Sequence, residues 1–377
     1  LGNGNGKLFY GWIIVVGCVL LSSASGIMTG VISVFIKPVS EAMNVSRGIF
    51  TLYSTINLIA TMLVLPFAPN LFKRFKFKLL VLFGSVVAGA SIFSFSFAKN
   101  VYVFYIIAIF AGVSTCFMNA IPIVILTSNW FIEKRGIATS VSFSGNGTSM
   151  IVLSPIVMRI IIAYGWQSAY RFLAIVFLIL TIPTTLFIIK EKPSDVGLCA
   201  LGSETPKAGE KVADGFTRKE TIKTKSFILF SVGVFFSSLI AFGVNQHLVS
   251  YLTDISYTAV KAAYWFSICN VVATIAKALT GAVYDKFGIV KSTSFLSIML
   301  LLALVFLMFA EKTPFLVLFI CLFGLSSGLQ IVPPTYMTNK FFGDKDYSAN
   351  YGLITTIYFC GMASGVQLSA LFFDKLE

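Results

Sequence analysis

Long apolar runs alternate with short polar breaks along the whole chain. The runs fall at roughly 12–36, 49–71, 78–97, 101–127, 136–163, 171–190, 226–253, 260–285, 291–310, 314–338 and 348–373. About 20 apolar residues in helical form cross the hydrocarbon of a bilayer. The pattern therefore predicts an all-α membrane protein with eleven membrane-spanning helices. Between the sixth and seventh runs lies "EKPSDVGLCALGSETPKAGEKVADGFTRKETIKTK" (191–225), rich in charge, glycine and proline, which reads as a partly flexible linker. The predicted organisation is an N-terminal six-helix bundle (1–190), a linker (191–225) and a C-terminal bundle (226–377). An odd number of spans breaks the symmetry of two equal halves. A twelfth span is therefore expected beyond "FFDKLE" at the end of the chain.

Composition agrees with a bilayer. Of 377 residues, 57% are hydrophobic and only 11% charged, against about 25% charged in soluble domains. The net charge of +13 raises the question of nucleic acid, but the basic residues cluster between apolar runs with no aromatic–basic stripe for bases. That is the signature of membrane topology. With the N-terminus in the cytoplasm, nineteen basic residues fall inside, including "KRFKFK" (73–78), and eight outside. The positive-inside rule selects this orientation, and the short loops fit a bacterial inner membrane. Lys277 alone is left in mid-span. None of the six cysteines forms a CxxC pair, and five lie inside apolar runs. They read as buried small hydrophobes rather than as a metal or disulfide framework. No metal or cofactor is expected.

The two halves repeat weakly. "APNLFKRFKFKLL" (68–80) follows the second span as "GAVYDKFGIVKS" (281–292) follows the eighth. "NWFIEKRGIA" (129–138) precedes the fifth as "NKFFGDKDYSANYGLI" (339–354) precedes the eleventh. Both offsets are about 210 residues, and internal duplication of helical bundles is a transporter trait. Gly281, Asp285, Lys286 and Gly288 meet a Gly-x-x-x-Asp-Lys-x-Gly pattern that resembles the loop motif of the major facilitator superfamily. "KLFYGWIIV" (7–15), the segment carrying Lys134 and Arg135, and "EKPSDVGL" (191–198) resemble its oxalate–formate antiporter and monocarboxylate porter branch. The resemblance spans essentially the whole chain. It implies two six-helix bundles, a monomer, alternating access and no enzymatic activity. In the first-half loop the motif's Gly and Asp positions hold Ala68 and Lys73, so the usual charge relay is not expected there.

All fifteen acidic residues fall in loops or at span ends. The membrane interior thus holds one cation, Lys277, and no protein anion. A buried charge needs a partner, and an anionic substrate supplies one. The alternative is that Lys277 snorkels to the cytoplasmic surface. It stands eight residues before Asp285, or about 12 Å along a helix, which is roughly twice the reach of a lysine stem. In the resembling family an arginine often occupies this register. A lysine there is a point charge where arginine grips a carboxylate with two bonds.

The resemblance places the antiporter's second cation on Tyr358, the animal carriers' first-span lysine on Gly30 and their eighth-span acid on Ala273. One intramembrane cation suits a monoanion better than a dianion. His247, the only histidine, stands with Asn245 and Gln246 in "GVNQHLVSY" (243–251). Polar side chains in spans commonly line a cavity, but a histidine bonded between helices is an equal alternative. Asn146 and Asn57 are further cavity-wall candidates. The small residues around Asn146, such as Ser142 and Gly145, favour close helix packing. Pro333 and Pro334 interrupt the tenth span, as hinges or as its end.

The expected function is secondary transport of small organic anions, monocarboxylates foremost, with an exchanged anion or a co-transported proton. Larger amphipathic or aromatic carboxylates, and a transporter-like carboxylate sensor, are the alternatives. A membrane enzyme lacks its parts, since the interior offers one histidine and no carboxylate.

Overall fold

The computed structural model describes residues 2–3, 7–65, 67–202, 215–330, 337–343 and 345–376. The helices are α1 (Tyr10–Thr29), α2 (Ile36–Met43), α3 (Arg47–Val64), α4 (Ala68–Arg74), α5 (Phe77–Phe95), α6 (Val101–Met118), α7 (Ala120–Trp130) and α8 (Arg135–Pro183). Beyond the linker come α9 (Arg218–Ile222), α10 (Lys225–Asp254), α11 (Ala259–Phe287), α12 (Ile289–Leu307), α13 (Thr313–Ser326), α14 (Thr338–Phe342) and α15 (Tyr347–Leu376). Helix starts follow local chemistry. The Asn100 side chain accepts from Val103 N–H (3.1 Å) before α6, and Thr224 from Phe227 N–H (3.1 Å) before α10, satisfying first-turn donors.

Ten stretches among the described residues are long and apolar enough to cross a membrane. The longest, Gly136–Ile188, holds the predicted fifth and sixth spans, for α8 is two helices merged across Gly165 (φ 82°, ψ 163°). The predicted loop at 164–170 is therefore a single-residue turn inside helix, which hydrophobic periodicity does not reveal. The predicted fourth span is likewise divided, at Asn119 (ψ −107°), into α6 and α7. Leu79, Ile106, Ile162, Ile179, Leu229 and Leu301 all stand exposed. In water such a belt drives aggregation; in a bilayer it is the lipid surface. Cys321 and Cys360 join that exterior instead of the core, while Cys18, Cys116 and Cys269 are buried as expected.

The chain forms two compact units, Leu1–Ile32 with Ala60–Pro206, and Ser33–Ile59 with Lys207–Glu377. Each is built from the same pairings. In the first unit α1 packs on α8 and α5 on α6; in the second α10 packs on α15 and α12 on α13. Backbone approach is closest in the first pairing of each. A side chain at Gly145 would strike the Val19 carbonyl, and one at Gly365 would strike the Leu239 carbonyl. Small residues thus let the helices meet backbone to backbone.

The three segments that resemble the monocarboxylate porter branch converge within the first unit. Phe9 packs edge-on against Trp130 and Phe131 (ring centroids 6.0 and 5.9 Å). The Trp130 indole donates to the Lys190 carbonyl (3.0 Å), and Asn129 donates to that of Glu191 (3.1 Å). Leu201 N–H then bonds Trp130 O (3.0 Å), tying the start of the linker to the loop before α8. The end of the linker is tied in the same way within the second unit. Phe216 N–H bonds Phe342 O (2.8 Å), and Asn350 donates to Phe216 O (3.2 Å). A capping box then starts α9, where the Thr217 N–H holds the Glu220 carboxyl below the usual carboxylate range.

Candidate functional site

Helix α11 carries its polar residues on a defined face. Tyr264, Ile268, Val271, Ile275 and Leu279 are exposed and recur at helical spacing. Lys277 lies two residues from Ile275 and from Leu279. At about 100° per residue, that sets it about 200° away, on the opposite side. There it joins the buried Phe266, Cys269, Asn270, Ala276 and Thr280. This is the face on which α13 packs, and the Ser327 hydroxyl donates to the Ala273 carbonyl (3.1 Å).

The other polar side chains of that face are satisfied by their own helix. Ser267 donates to Ala263 O (3.0 Å), Asn270 to Phe266 O (2.9 Å), Thr274 to Asn270 O (2.7 Å) and Thr280 to Ala276 O (2.6 Å). Back-bonding of this kind keeps polar groups in apolar surroundings at low cost. Lys277 has no such recourse, because an ammonium cannot bond an already committed turn with all three protons. It is half-buried, and among the described residues it makes no hydrogen bond or ion pair.

The other predicted residues lie on α3, α8, α10 and α15. His247 is half-buried, and its Nε2 lies 3.0 Å from the Val366 carbonyl on α15. A carbonyl only accepts, so Nε2 carries the proton and the ring ties α10 to α15. Gln246 is fully buried, its Nε2 3.5 Å from Ser54 Oγ on α3. Asn245, Asn57 and Asn146 are half-buried on α10, α3 and α8. Tyr358 packs against Phe227, Val234, Phe342 and Ile354, a setting that serves the α10–α15 core.

Of the loop motif, Gly288 turns the chain between α11 and α12 with φ 78°, where a side chain is strained. Lys286 is exposed above the Phe287 ring, 5.4 Å away. Gly281 belongs to α11, whereas the side chains of Asp285 and Arg135 and residues Pro333 and Pro334 lie outside the described residues. Lys134 is exposed and opens α8 in the left-handed region (φ 58°).

One cluster escaped sequence reasoning. Asp254, at the end of α10, accepts from Lys37 Nζ (2.7 Å) and from both terminal nitrogens of Arg47 (2.6 and 2.9 Å). Asp374 of α15 accepts from Arg47 and Gly48 N–H (3.2 and 2.8 Å) at the start of α3. In the sequence these residues read simply as loop and span-end charges. The available signal was that Arg47 opens the second span while Asp254 and Asp374 close two others.

A helical body with ten apolar stretches long enough to span and an apolar exterior is that of a multi-pass membrane protein. The chain belongs to the Major Facilitator Superfamily, whose family model matches residues 18–366. It is similar to human monocarboxylate transporter 12, with 22% identity over 92% of this chain and 71% of that protein. Mouse monocarboxylate transporter 4 is 21% identical over 92% and 73%. The uncharacterized MFS-type transporter YcxA of Bacillus subtilis is 27% identical over 42% of this chain and 39% of its own length. The fold is similar to that of a bacterial homolog of the human lysosomal transporter Spinster (TM-score 0.74, 14% identity, 98% of this chain and 84% of that one). The chain is a transporter and not an enzyme.

Proposed function

We propose that this transporter carries small organic anions, monocarboxylates foremost, with Lys277 as their counter-charge. The observation that carries the reading is the half-buried ammonium on the interior face of α11, with no partner among the described residues while every polar neighbour on that helix is bonded. Water solvates Lys277 while the site is open, and a carboxylate neutralises it before the site closes, removing the charge penalty of closure. The similarity to monocarboxylate transporters 12 and 4 supports the substrate class. A single ammonium favours one carboxylate over two. The basic clusters support a cytoplasmic N-terminus and linker.

Lactate uptake into proteoliposomes tests this, with formate and oxalate as competitors at two pH values, with and without a preloaded carboxylate. Lys277→Gln should fold and lose uptake efficiency by about 30-fold or more, because removing one partner of a desolvated charge pair costs about 2 kcal/mol or more. Normal uptake by that variant would falsify the role of Lys277. Formate should compete better than oxalate, and the reverse order would sink the monoanion assignment. Acceleration by preloading marks exchange, and acceleration by an inward proton gradient marks symport.

A further inference from the structure

The surface between α3 and α10 is wetter in chemistry than in structure. Asp254, Ser250 and Gln246 recur every four residues and so stack on one face of α10. Arg47 meets Asp254 at one end of that face, and Ser54 meets Gln246 at the other. Between them the Ser250 hydroxyl and the Gln246 side-chain oxygen are buried with no hydrogen-bond partner among the described residues. Burying such atoms unpaired is costly. A surface that bears them is suited to take up water when the two helices separate.

The ion pairs close the end of that surface. Lys37 Nζ and Arg47 Nη2 both approach Asp254 Oδ1 (2.7 and 2.9 Å), while Arg47 Nη1 takes Oδ2 (2.6 Å). The guanidinium is also stacked over Phe373, 3.9 Å from the ring centre. Two cations thus converge on one carboxylate with the fork geometry that arginine provides. That carboxylate belongs to α10, whereas both cations lie on the segment that carries α2 and α3.

We propose that Arg47 and Lys37 form a second carboxylate-binding site, occupied by Asp254 in this state and by an incoming substrate carboxylate once α3 parts from α10. The proposal rests on the carboxylate reading of the transporter given above. Separation leaves two convergent cations without their counter-ion. A substrate carboxylate that replaces Asp254 binds only the separated state and so favours it. Asp254 then acts as a tethered competitor that closes the route when substrate is absent.

Modification of Arg47 by phenylglyoxal, followed by mass spectrometry of the purified transporter, tests this directly. Arg47 should react slowly in the natural chain and about fivefold faster in Asp254→Asn, the factor that loss of one modest ion pair sets. Lactate, but not chloride at equal ionic strength, should slow the reaction of that variant. The protection should persist when Lys277→Gln is added. Asp254→Ala serves if the asparagine variant does not fold. An unchanged rate in both Asp254 variants overturns the proposal, as does the absence of protection by lactate. Protection that disappears with Lys277→Gln also overturns it, while leaving Lys277 as the substrate site.

Discussion

Four polar side chains of α11 bond their own backbone, whereas Lys277 makes no hydrogen bond or ion pair among the described residues. The role proposed for it starts from the linear sequence, because an ammonium inside an apolar run stands out wherever its partner is. Arg47 and Asp254 are 207 positions apart and each sits at a span end, where charges are commonplace. Only tertiary structure makes them a pair. His247 shows the converse. The sequence leaves it between substrate contact and a bond between helices, and the Nε2 contact with Val366 O favours the second. His247→Gln, which retains a donor, should preserve thermal stability, whereas His247→Ala should lower it by about 1 kcal/mol, the net worth of a hydrogen bond. Neither should change the pH profile of uptake. A shifted profile in the glutamine variant would return His247 to the transport chemistry.

At the scale of elements, apolar run length located nearly every span, since the bilayer imposes one minimum length on all of them. It did not locate the break at Gly165 or the division at Asn119, because a turn of one residue leaves hydropathy unchanged. The glycines of α8 and α15 mark where backbones touch. Gly145→Leu and Gly365→Leu should each destabilise the fold by about 1–3 kcal/mol or more, the usual cost of overpacking. Gly233→Leu, where an added side chain meets open space, should do much less. Thermal unfolding in detergent compares the three, and equal losses would remove close approach as the reason for those glycines.

At the scale of the molecule, the repeat of about 210 residues reappears as matched pairings, α1 with α8 and α10 with α15. It reappears again where each end of the linker is bonded to the loop before the corresponding helix, Leu201 to Trp130 and Phe216 to Phe342. The proposed orientation rests on the basic clusters. Cys199, exposed just past the sixth span, should therefore react with a membrane-impermeant maleimide only after the cytoplasmic side is opened. Labelling in intact cells would invert the topology.

The order of apolar and basic segments by itself determined the class of protein, most of its spans and the run that holds Lys277, because transfer into hydrocarbon is priced residue by residue. Which helix face each polar group occupies, which of them are already bonded, and how Lys37 and Arg47 find Asp254 were decided by the folded chain. Those facts depend on distances between residues remote in sequence, and hydropathy carries no record of such distances.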